Sequence, residues 1–304
     1  MRQMIPTETH LAHVPDTALL FEGGGYRASY TAGFASVLLE HKVQFDVVCG
    51  VSAGASHTVD YVSRDLKRIH DSFITLSDRK PQSGGIRSFL HGNGYFNADY
   101  DYMGCIKDNY MPFDWKAYCE NPANVAIESF EADTGKSAVW TKKDMPTLRS
   151  MMEHVRASST LPGMMNPIKI NGHTMFDGGI GAGAGLPLQM VRDTGVKRVF
   201  VLATRPFGYR KKPVSRALKR LYARVSRDFE PLYQALVTRN ERYNASLDRL
   251  RELVEQGIAY VVYPDEMPVK NTTNNRQKLE DSYIKGYTQG LNDWPTWQKW
   301  LFEA

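Results

Sequence analysis

Cysteine is scarce in this sequence, and so are long apolar runs. The three cysteines, Cys49, Cys105 and Cys119, show no CxxC spacing and are too few for a disulfide scaffold or a thiolate zinc site, which favours a reducing compartment. No window approaches the roughly 20 uninterrupted apolar residues of a membrane-spanning helix, and residues 1–16 lack the apolar core and the cleavage site of a signal peptide. We therefore expect a cytoplasmic protein for which any contact with lipid is peripheral.

Acidic residues are missing from one stretch of the chain. Residues 194–227 contain eleven lysines and arginines and no aspartate or glutamate, although the 304-residue chain as a whole carries a net charge of only +5. Its 42% hydrophobic and 23% charged residues are typical of a folded globular protein and exclude a disordered or collagen-like chain. The basic stretch alone fits a solvated face, a contact with anionic lipid or a nucleic-acid site, and does not decide between them.

Short β-branched runs alternate with segments of helical periodicity along the chain. The runs that favour strands are 17–22, 45–49, 124–130, 138–141, 198–203 and 258–263. The segments that favour helices are 30–40, 53–75, 147–157 and 231–256. This alternation predicts an α/β fold in which helices cover a mostly parallel sheet. Because no repeat and no flexible linker divides the chain, we predict a single domain over residues 1–304.

Two segments interrupt this alternation. Residues 81–118 mix turn residues with many aromatic side chains, and a basic stretch follows Arg205. Both are candidates for elements that cover a pocket. Aromatic side chains that simply pack an irregular segment onto the sheet explain the first segment more economically.

A GxSxG motif, Gly50-Val51-Ser52-Ala53-Gly54, lies between a predicted strand and a predicted helix. Such a strand-to-helix elbow needs Gly50 and Gly54, because side chains would clash around the tight turn, and it presents the serine hydroxyl at the N-terminus of the helix. The positive end of the helix dipole stabilises negative charge there. The motif predicts Ser52 as a nucleophile, with a glycine-rich turn around an idle serine as the alternative.

No histidine follows His173, although the usual α/β-hydrolase triad places its histidine after the acid. His57 lies only five residues after Ser52 on the same predicted helix, a position that suits packing or solvent better than catalysis. A carboxylate that acts directly on the serine is then the economical alternative. The best candidate is Asp177, which ends a short apolar run and precedes two glycines. By itself, this pattern is explained at least equally well by an ordinary Asp-Gly hairpin turn.

The segment Glu22-Gly23-Gly24-Gly25-Tyr26-Arg27-Ala28 directly follows the first predicted strand and precedes a helix. At such a junction the N–H groups of Gly23, Gly24 and Gly25 form a concavity that suits the oxyanion of an attacked ester. Arg27 is placed to reinforce this oxyanion hole or to bind a phosphate. The segment also fits the dinucleotide fingerprint GxGxxA, which supports a nucleotide-binding or non-enzymatic module as an alternative. That alternative lacks the expected acid at the end of the second strand, where the serine motif stands.

The glycine segment, the GVSAG motif and Phe176-Asp177-Gly178-Gly179, in this order, resemble the patatin-like phospholipase family. The resemblance implies a three-layer fold with helices on both faces of the sheet and a helical C-terminal part. It also implies a Ser-Asp dyad that hydrolyses acyl esters, with Ser52 as nucleophile and Asp177 as base. Residues 157–163 are similar to the segment that the family carries before its catalytic aspartate.

The family resemblance implies a serine acyl hydrolase of the phospholipase A type that works through an acyl-enzyme, without a metal or an organic cofactor. A soluble carboxylesterase or thioesterase is the nearest alternative. We expect lipids or other acyl esters as partners and no nucleic acid, since no nucleic-acid motif accompanies the basic stretch. Within that stretch, the residues predicted to contact an anionic membrane are Arg216, Lys219, Arg220 and Arg224. A helix packed by its apolar stripe, with its charges in water, is the alternative.

Overall fold

The computed structural model describes residues 11–79 and 82–303. Residues 1–10, which belong to the stretch interpreted as lacking a signal peptide, and Pro81, at the beginning of the aromatic segment, lie outside the described residues. Within the described ranges, none of the helices has both the length and the apolar composition that crossing a bilayer requires.

One sheet forms the centre of the described chain. Its eight strands are β1 (Ala12–Phe21), β2 (Val43–Val51), β3 (Asn124–Glu131), β4 (Ser137–Thr141), β5 (Ile168–Ile170), β6 (His173–Asp177), β7 (Arg198–Leu202) and β8 (Ala259–Val262). Five of them run parallel in the order β3-β2-β1-β7-β8. Strands β4 and β6 pair antiparallel with β3, and β5 pairs antiparallel with β6.

Helices cover both faces of this sheet. The α-helices of the described ranges are α1 (Ala28–Glu40), α2 (Ala53–Val62), α3 (Leu66–Asp71), α4 (Ile86–Leu90), α5 (Cys105–Lys107), α6 (Trp115–Glu120), α7 (Leu148–Ser159), α8 (Leu188–Arg192), α9 (Arg216–Val225), α10 (Glu230–Val237), α11 (Arg239–Glu255) and α12 (Arg276–Phe302). Leu19 and Phe21 of β1 share a core cluster with α1, α2, α7 and α12, whereas Ala18 and Leu20 share one with α8 and α11. This alternation confirms the predicted α/β fold, with a mostly parallel sheet between two helical layers and a helical C-terminal part.

Two predicted helices are each divided in the structure. The predicted helix over 53–75 stops after α2, because Arg64 adopts a left-handed conformation with φ 58° and Asp65 then caps α3 by accepting the N–H of Arg68 at 2.9 Å. The predicted helix over 231–256 is broken at Thr238 into α10 and α11. The prediction of continuous helices was therefore wrong at these two places.

Strand β3 brings the ends of β2 and β6 together. The first five residues of β3 pair with β2, and its last three pair with β6. Strand β4 pairs with residues of β3 from both of these groups, so it must lie along the other edge of β3. Strands β2 and β6 therefore share one edge of β3 and approach each other end to end. Val51 lies opposite Glu128. Asp177 lies opposite the next residue, Ser129, so the residue after β2 and the last residue of β6 become neighbours.

Candidate active site

Ser52 stands at the sharp turn from β2 into α2. Its backbone angles, φ 58° and ψ −126°, lie outside the regions that most side chains adopt. A Cβ at Gly50 would collide with the carbonyl group of Gly54, and a Cβ at Gly54 would collide with the carbonyl group of Phe21. Close packing of the backbone therefore requires both glycines of the motif, and the turn places Ser52 directly before the first residue of α2.

Ser52 and Asp177 are in direct contact. The Ser52 hydroxyl donates to Oδ2 of Asp177 at 2.7 Å, and Oδ1 of the same carboxylate accepts the N–H of Gly179 at 2.6 Å. A Cβ at Gly178 would collide with the carbonyl group of Glu128, so the turn after the acid needs its first glycine. Asp177 is buried, with 4% of its surface exposed, and both of its oxygens are held by these bonds.

The backbone on both sides of this contact is tied to the end of α7. The N–H of Ser52 donates to Oγ of Ser158 at 2.8 Å, and that hydroxyl donates to the carbonyl of Glu128 at 2.5 Å. The N–H of Asp177 donates to the carbonyl of Thr160 at 2.8 Å. Ser158 belongs to the stretch before Asp177 that resembles the family, but no feature of the sequence alone indicates that it bridges β2 and β3.

Burial raises the pKa of the Asp177 carboxyl above its ordinary value. Nearby positive charge from Arg239 and Lys211 opposes this rise, as do the bonds from the Ser52 hydroxyl and the Gly179 N–H. A carboxylate with a raised pKa accepts a proton more readily than an exposed one does. The arrangement is therefore chemically able to take the proton of Ser52 without an imidazole between the two groups.

His57 lies in the core rather than beside Ser52. Its Nε2 is 3.0 Å from the carbonyl oxygen of Ala28 and 3.2 Å from Oγ1 of Thr31, and its ring packs against Phe21. Burial lowers the pKa of the imidazole to about 4, so the ring is neutral at pH 7. Among the described residues, no histidine forms a hydrogen bond with Ser52.

The N–H groups of the glycine segment are not equivalent. The N–H of Gly23 donates to the carbonyl of Gly185 at 3.1 Å and is therefore not free for a substrate. In the part of the chain that the structure describes, the N–H groups of Gly24 and Gly25 have no partner. Gly25 has φ 55°, and a Cβ at Gly24 would lie only 2.7 Å from Cγ2 of Thr204, so neither position tolerates a side chain. Two of the three predicted glycine donors thus present free N–H groups.

Arg27 supports the glycine segment from inside the protein. Its Nε donates to the carbonyl of Thr204 at 3.1 Å, and the residue is 8% exposed. Burial, together with the nearby positive charge of Arg205, lowers the pKa of the guanidinium to about 10. Arg27 does not line the cavity that contains Ser52. Its hydrogen bond to Thr204 fits a residue that positions the glycine segment rather than one that touches a substrate.

A cavity with an empty volume of about 830 Å³, including its open mouth, leads to Ser52. We call it the serine cavity. Its apolar walls include Val59, Phe73, Phe96, Met152, Val155 and Met165. Phe96 and Tyr102 come from the aromatic segment over 81–118, so part of that segment lines the pocket, and its role as a covering element stays a prediction. The cavity offers an apolar space beside a hydroxyl group that is bonded to a carboxylate.

The basic residues predicted to face a membrane lie on α9. All four are exposed: Arg216, Lys219, Arg220 and Arg224. Leu221 of the same helix is 52% exposed. Val225 of α9 packs close to Gly163, since a Cβ added at Gly163 would lie only 2.8 Å from Cγ1 of Val225. Because Leu161 and Met165 line the serine cavity, α9 borders the segment that forms one of its walls.

Two family models match the chain. One is described as Patatin-like phospholipase and matches residues 19–190, and the other is described as a domain of unknown function (DUF6363) and matches residues 229–302. Among solved structures, VipD from Legionella pneumophila is similar, with a TM-score of 0.48 and 12% sequence identity over 91% of this chain and 66% of that one. This chain therefore spans slightly less than two thirds of the length of VipD. No curated protein matches the chain.

Proposed function

The chain belongs to the patatin-like phospholipase family, and from this membership and the geometry of the site we propose that it is a lipid acyl hydrolase that uses Ser52 and Asp177. The family match confirms the resemblance drawn from the sequence motifs, and a phospholipase is a hydrolase of ester bonds. The single observation that carries the proposal is the distance of 2.7 Å between Ser52 Oγ and Asp177 Oδ2. This hydrogen bond places the proposed nucleophile in direct contact with the proposed base.

In the proposed cycle, Asp177 takes the proton of the Ser52 hydroxyl while the oxygen attacks an acyl carbonyl carbon. The N–H groups of Gly24 and Gly25 hold the oxyanion that forms. Asp177 then gives the proton to the leaving alcohol as the C–O bond breaks, and an ester remains on Ser52. A water molecule that loses a proton to Asp177 attacks this ester, and the proton returns to Ser52 as the carboxylic acid leaves.

The serine cavity supports an acyl chain as the group that is bound beside Ser52. Its walls are mostly aliphatic, aromatic and methionine side chains. Two of its charged groups compensate each other, because Nε of Arg68 and Oδ1 of Asp60 form a buried ion pair at 2.7 Å, and burial raises the pKa of the third, the carboxyl of Asp101. An apolar chain can therefore enter without separating an unpaired charge from water.

Labelling with a fluorophosphonate tests the role of Ser52 directly. In Ser52→Ala, we expect both the label and the hydrolysis of a soluble chromogenic ester to be lost, the latter by at least about a thousandfold, because the nucleophile is absent. Ser63→Ala is the matched control, since Ser63 follows the opposite end of α2 and does not line the serine cavity. Unchanged hydrolysis by a folded Ser52→Ala protein would remove the mechanism.

We further propose that α9 docks the protein on an anionic bilayer beside the mouth of the serine cavity. Its basic residues are exposed, Leu221 projects into solvent among them, and the helix borders the cavity wall at Gly163. The same wall segment, which contains Gly163, also contacts residues 95–96, since the N–H groups of Tyr95 and Phe96 donate to the carbonyl of Met164. The α4 helix just before these residues exposes apolar side chains, with Leu90 75% exposed, which suits contact with lipid.

Co-sedimentation with vesicles measures this docking. Each Lys or Arg near an anionic surface contributes about 1 kcal/mol, so Arg220→Gln combined with Arg224→Gln should weaken binding to anionic vesicles roughly thirtyfold. The hydrolysis of a soluble ester should not change. Lys107→Gln combined with Lys116→Gln, at two exposed positions away from α9, is the matched control. Equal recovery with neutral and anionic vesicles would contradict docking through α9.

A further inference from the structure

A second cavity lies on the opposite face of the sheet from α2 and contains three arginines. Its empty volume is about 950 Å³, including its open mouth. We call it the arginine pocket and define it by Glu22, Arg205, Arg210, Arg251, Tyr243 and Tyr263, which line it. Side chains of α11 and β8 and the segment over 205–210 form its walls. Ser52 and Asp177 do not line it.

The positive charge of this pocket is not balanced by its own acid. Glu22 is the one carboxylate among the described lining residues, and both of its oxygens already accept hydrogen bonds. Oε1 accepts the hydroxyl of Tyr243 at 2.5 Å, and Oε2 accepts the N–H of Thr204. Arg210 is neutralised from outside the pocket, since its two terminal nitrogens bind the carboxylate of Asp248. Arg205 and Arg251 form no ion pair within the described ranges, so these two cations face the single negative charge of Glu22.

Arg205 is the residue whose surroundings are least explained by the protein alone. Within residues 11–79 and 82–303, its guanidinium makes no hydrogen bond, and its Nε is buried without a partner. Its contact is with the ring of Tyr209, whose centroid is 4.1 Å from the guanidinium carbon. An atom that is closed to water is closed to a ligand as well, so the groups available to an acceptor in the pocket are the two terminal nitrogens, which are neither fully buried nor hydrogen-bonded in the described part of the chain.

Two further basic side chains, Lys211 and Arg27, lie near Arg205. Lys211 donates from Nζ to the carbonyl of Ala184 at 3.1 Å and sits 3.6 Å above the ring of Tyr243, and like Arg27 it forms no ion pair in the described part of the chain. Burial and the nearby charge of Arg239 lower the pKa of Lys211 to about 6. Burial therefore disfavours the charged form of Lys211, and an anion bound nearby would favour that form.

We propose that the arginine pocket binds a phosphoryl group, with Arg205 as its principal ligand and Arg251 at its rim. A guanidinium presents donors in a planar fork that matches phosphate oxygens, and several cations suit a group that carries up to two negative charges. The aromatic and aliphatic walls, among them Phe207, Tyr263 and Leu247, leave room for an organic substituent on the phosphoryl group. This site uses neither Ser52 nor Asp177, so it stands independently of the proposed hydrolase activity.

Titration calorimetry on the whole chain at constant ionic strength tests the site, with inorganic phosphate and glycerol 3-phosphate as the probes. Both should bind, and Arg205→Gln should weaken both by about tenfold or more, the usual effect of losing a charge-assisted bond. Arg251→Gln should weaken them less. Arg249→Gln is the matched control on the same helix, because Arg249 is exposed and pairs with Glu252 at 2.6 Å. Its affinity should match that of the unmodified chain.

The comparison of probes separates the two sources of a phosphoryl group. Tighter binding of glycerol 3-phosphate than of phosphate supports a lipid headgroup or a similar phosphate monoester, and equal binding supports free phosphate. Acetate that binds as tightly as phosphate would overturn the proposal, and so would unchanged affinity in a folded Arg205→Gln protein. If circular dichroism shows that Arg205→Gln is unfolded, the phosphate affinity of Arg251→Gln tests the proposal instead. A phosphate affinity of Arg251→Gln equal to that of Arg249→Gln would then overturn it.

Discussion

The serine cavity and the arginine pocket both border the glycine segment after β1, but they differ in how their charges are matched. Gly25 lines the first cavity and Glu22, three residues earlier, lines the second. In the serine cavity, Arg68 is paired with Asp60, whereas in the arginine pocket Arg205 has no acid partner among the described residues. The difference teaches that one short segment separates a space suited to an uncharged chain from a space suited to an anion.

One acid departs from this pattern within the serine cavity. Oδ1 of Asp101 is buried and, in the described part of the chain, has no hydrogen-bond partner. Burial raises the pKa of this carboxyl well above its ordinary value, which favours its neutral form. In that neutral form Asp101 would add a polar group, but no unpaired charge, to the cavity wall. The contrast with the charged arginine pocket is thereby preserved.

The strongest test of this contrast is removal of the base. Asp177→Asn keeps an oxygen that can accept the Gly179 N–H but cannot take the proton of Ser52, so hydrolysis of a soluble ester should fall by about a thousandfold or more. Phosphate binding in the arginine pocket should not change. Steady-state kinetics and calorimetry on the same protein measure the two effects. Activity within tenfold of the unmodified chain would contradict the role of Asp177 as base.

A smaller effect is expected from filling the serine cavity. Met165→Trp places a larger side chain in its wall, so kcat/KM for a long-chain ester should fall by about tenfold relative to a short-chain ester. Phosphate binding again serves as the internal control. If long and short chains lose activity equally, the acyl group does not occupy this cavity and the comparison of the two spaces fails.

The smallest expected effect concerns pH. Asp177 must be ionised to act as a base, so activity should be present above its pKa and should be lost as the pH falls through that pKa. Because burial raises the pKa of Asp177, this loss begins at a higher pH than it would for an exposed aspartate. Arg239→Gln removes a positive charge that lowers the pKa, which should move the acidic limb of the kcat/KM profile further upward.

Arg242→Gln is the matched control for the pH profile. Arg242 lies one turn later on α11 and also contacts the turn after Asp177, through the carbonyls of Ile180 and Gly181, but it is not among the main causes of the shift in the pKa of the acid. The limb should stay in place in this variant. Equal movement of the limb in both variants would show that the turn, and not the charge of Arg239, sets the pKa.

The fold and the candidate nucleophile Ser52 could be predicted because local patterns encode them, whereas Asp177 is singled out only together with the missing late histidine and the family resemblance. The strands β1, β2, β3 and β7 are apolar runs, and the elbow needs its glycines for purely local reasons. The end-to-end meeting of β2 and β6 could not be predicted, since it depends on which edge of β3 each strand uses. Similarly, the bond from Gly23 to the carbonyl of Gly185 joins residues that are far apart in sequence. The single-domain organisation and the cytoplasmic location stay predictions.

The basic stretch shows the limit of charge patterns. The stretch over 194–227 carries eleven lysines and arginines, but the fold turns Arg205 and Lys211 inward and leaves Arg220 and Arg224 in solvent. Composition alone cannot separate a buried cation from an exposed one, because the distinction depends on Glu22 and the aromatic rings that the sheet and α11 bring to the inner pair.

Because β2 and β6 pair with the same edge of β3, the backbone of β3 sets the distance between Ser52 and Asp177. The separation is set by the spacing of adjacent residues along a strand, so it does not depend on the length of the long connections that lead to β3 and β6. Those connections supply much of the wall of the serine cavity, so a change in their length or composition would alter the wall without moving the two strand ends. The shape of the cavity can therefore change while Ser52 and Asp177 keep their geometry.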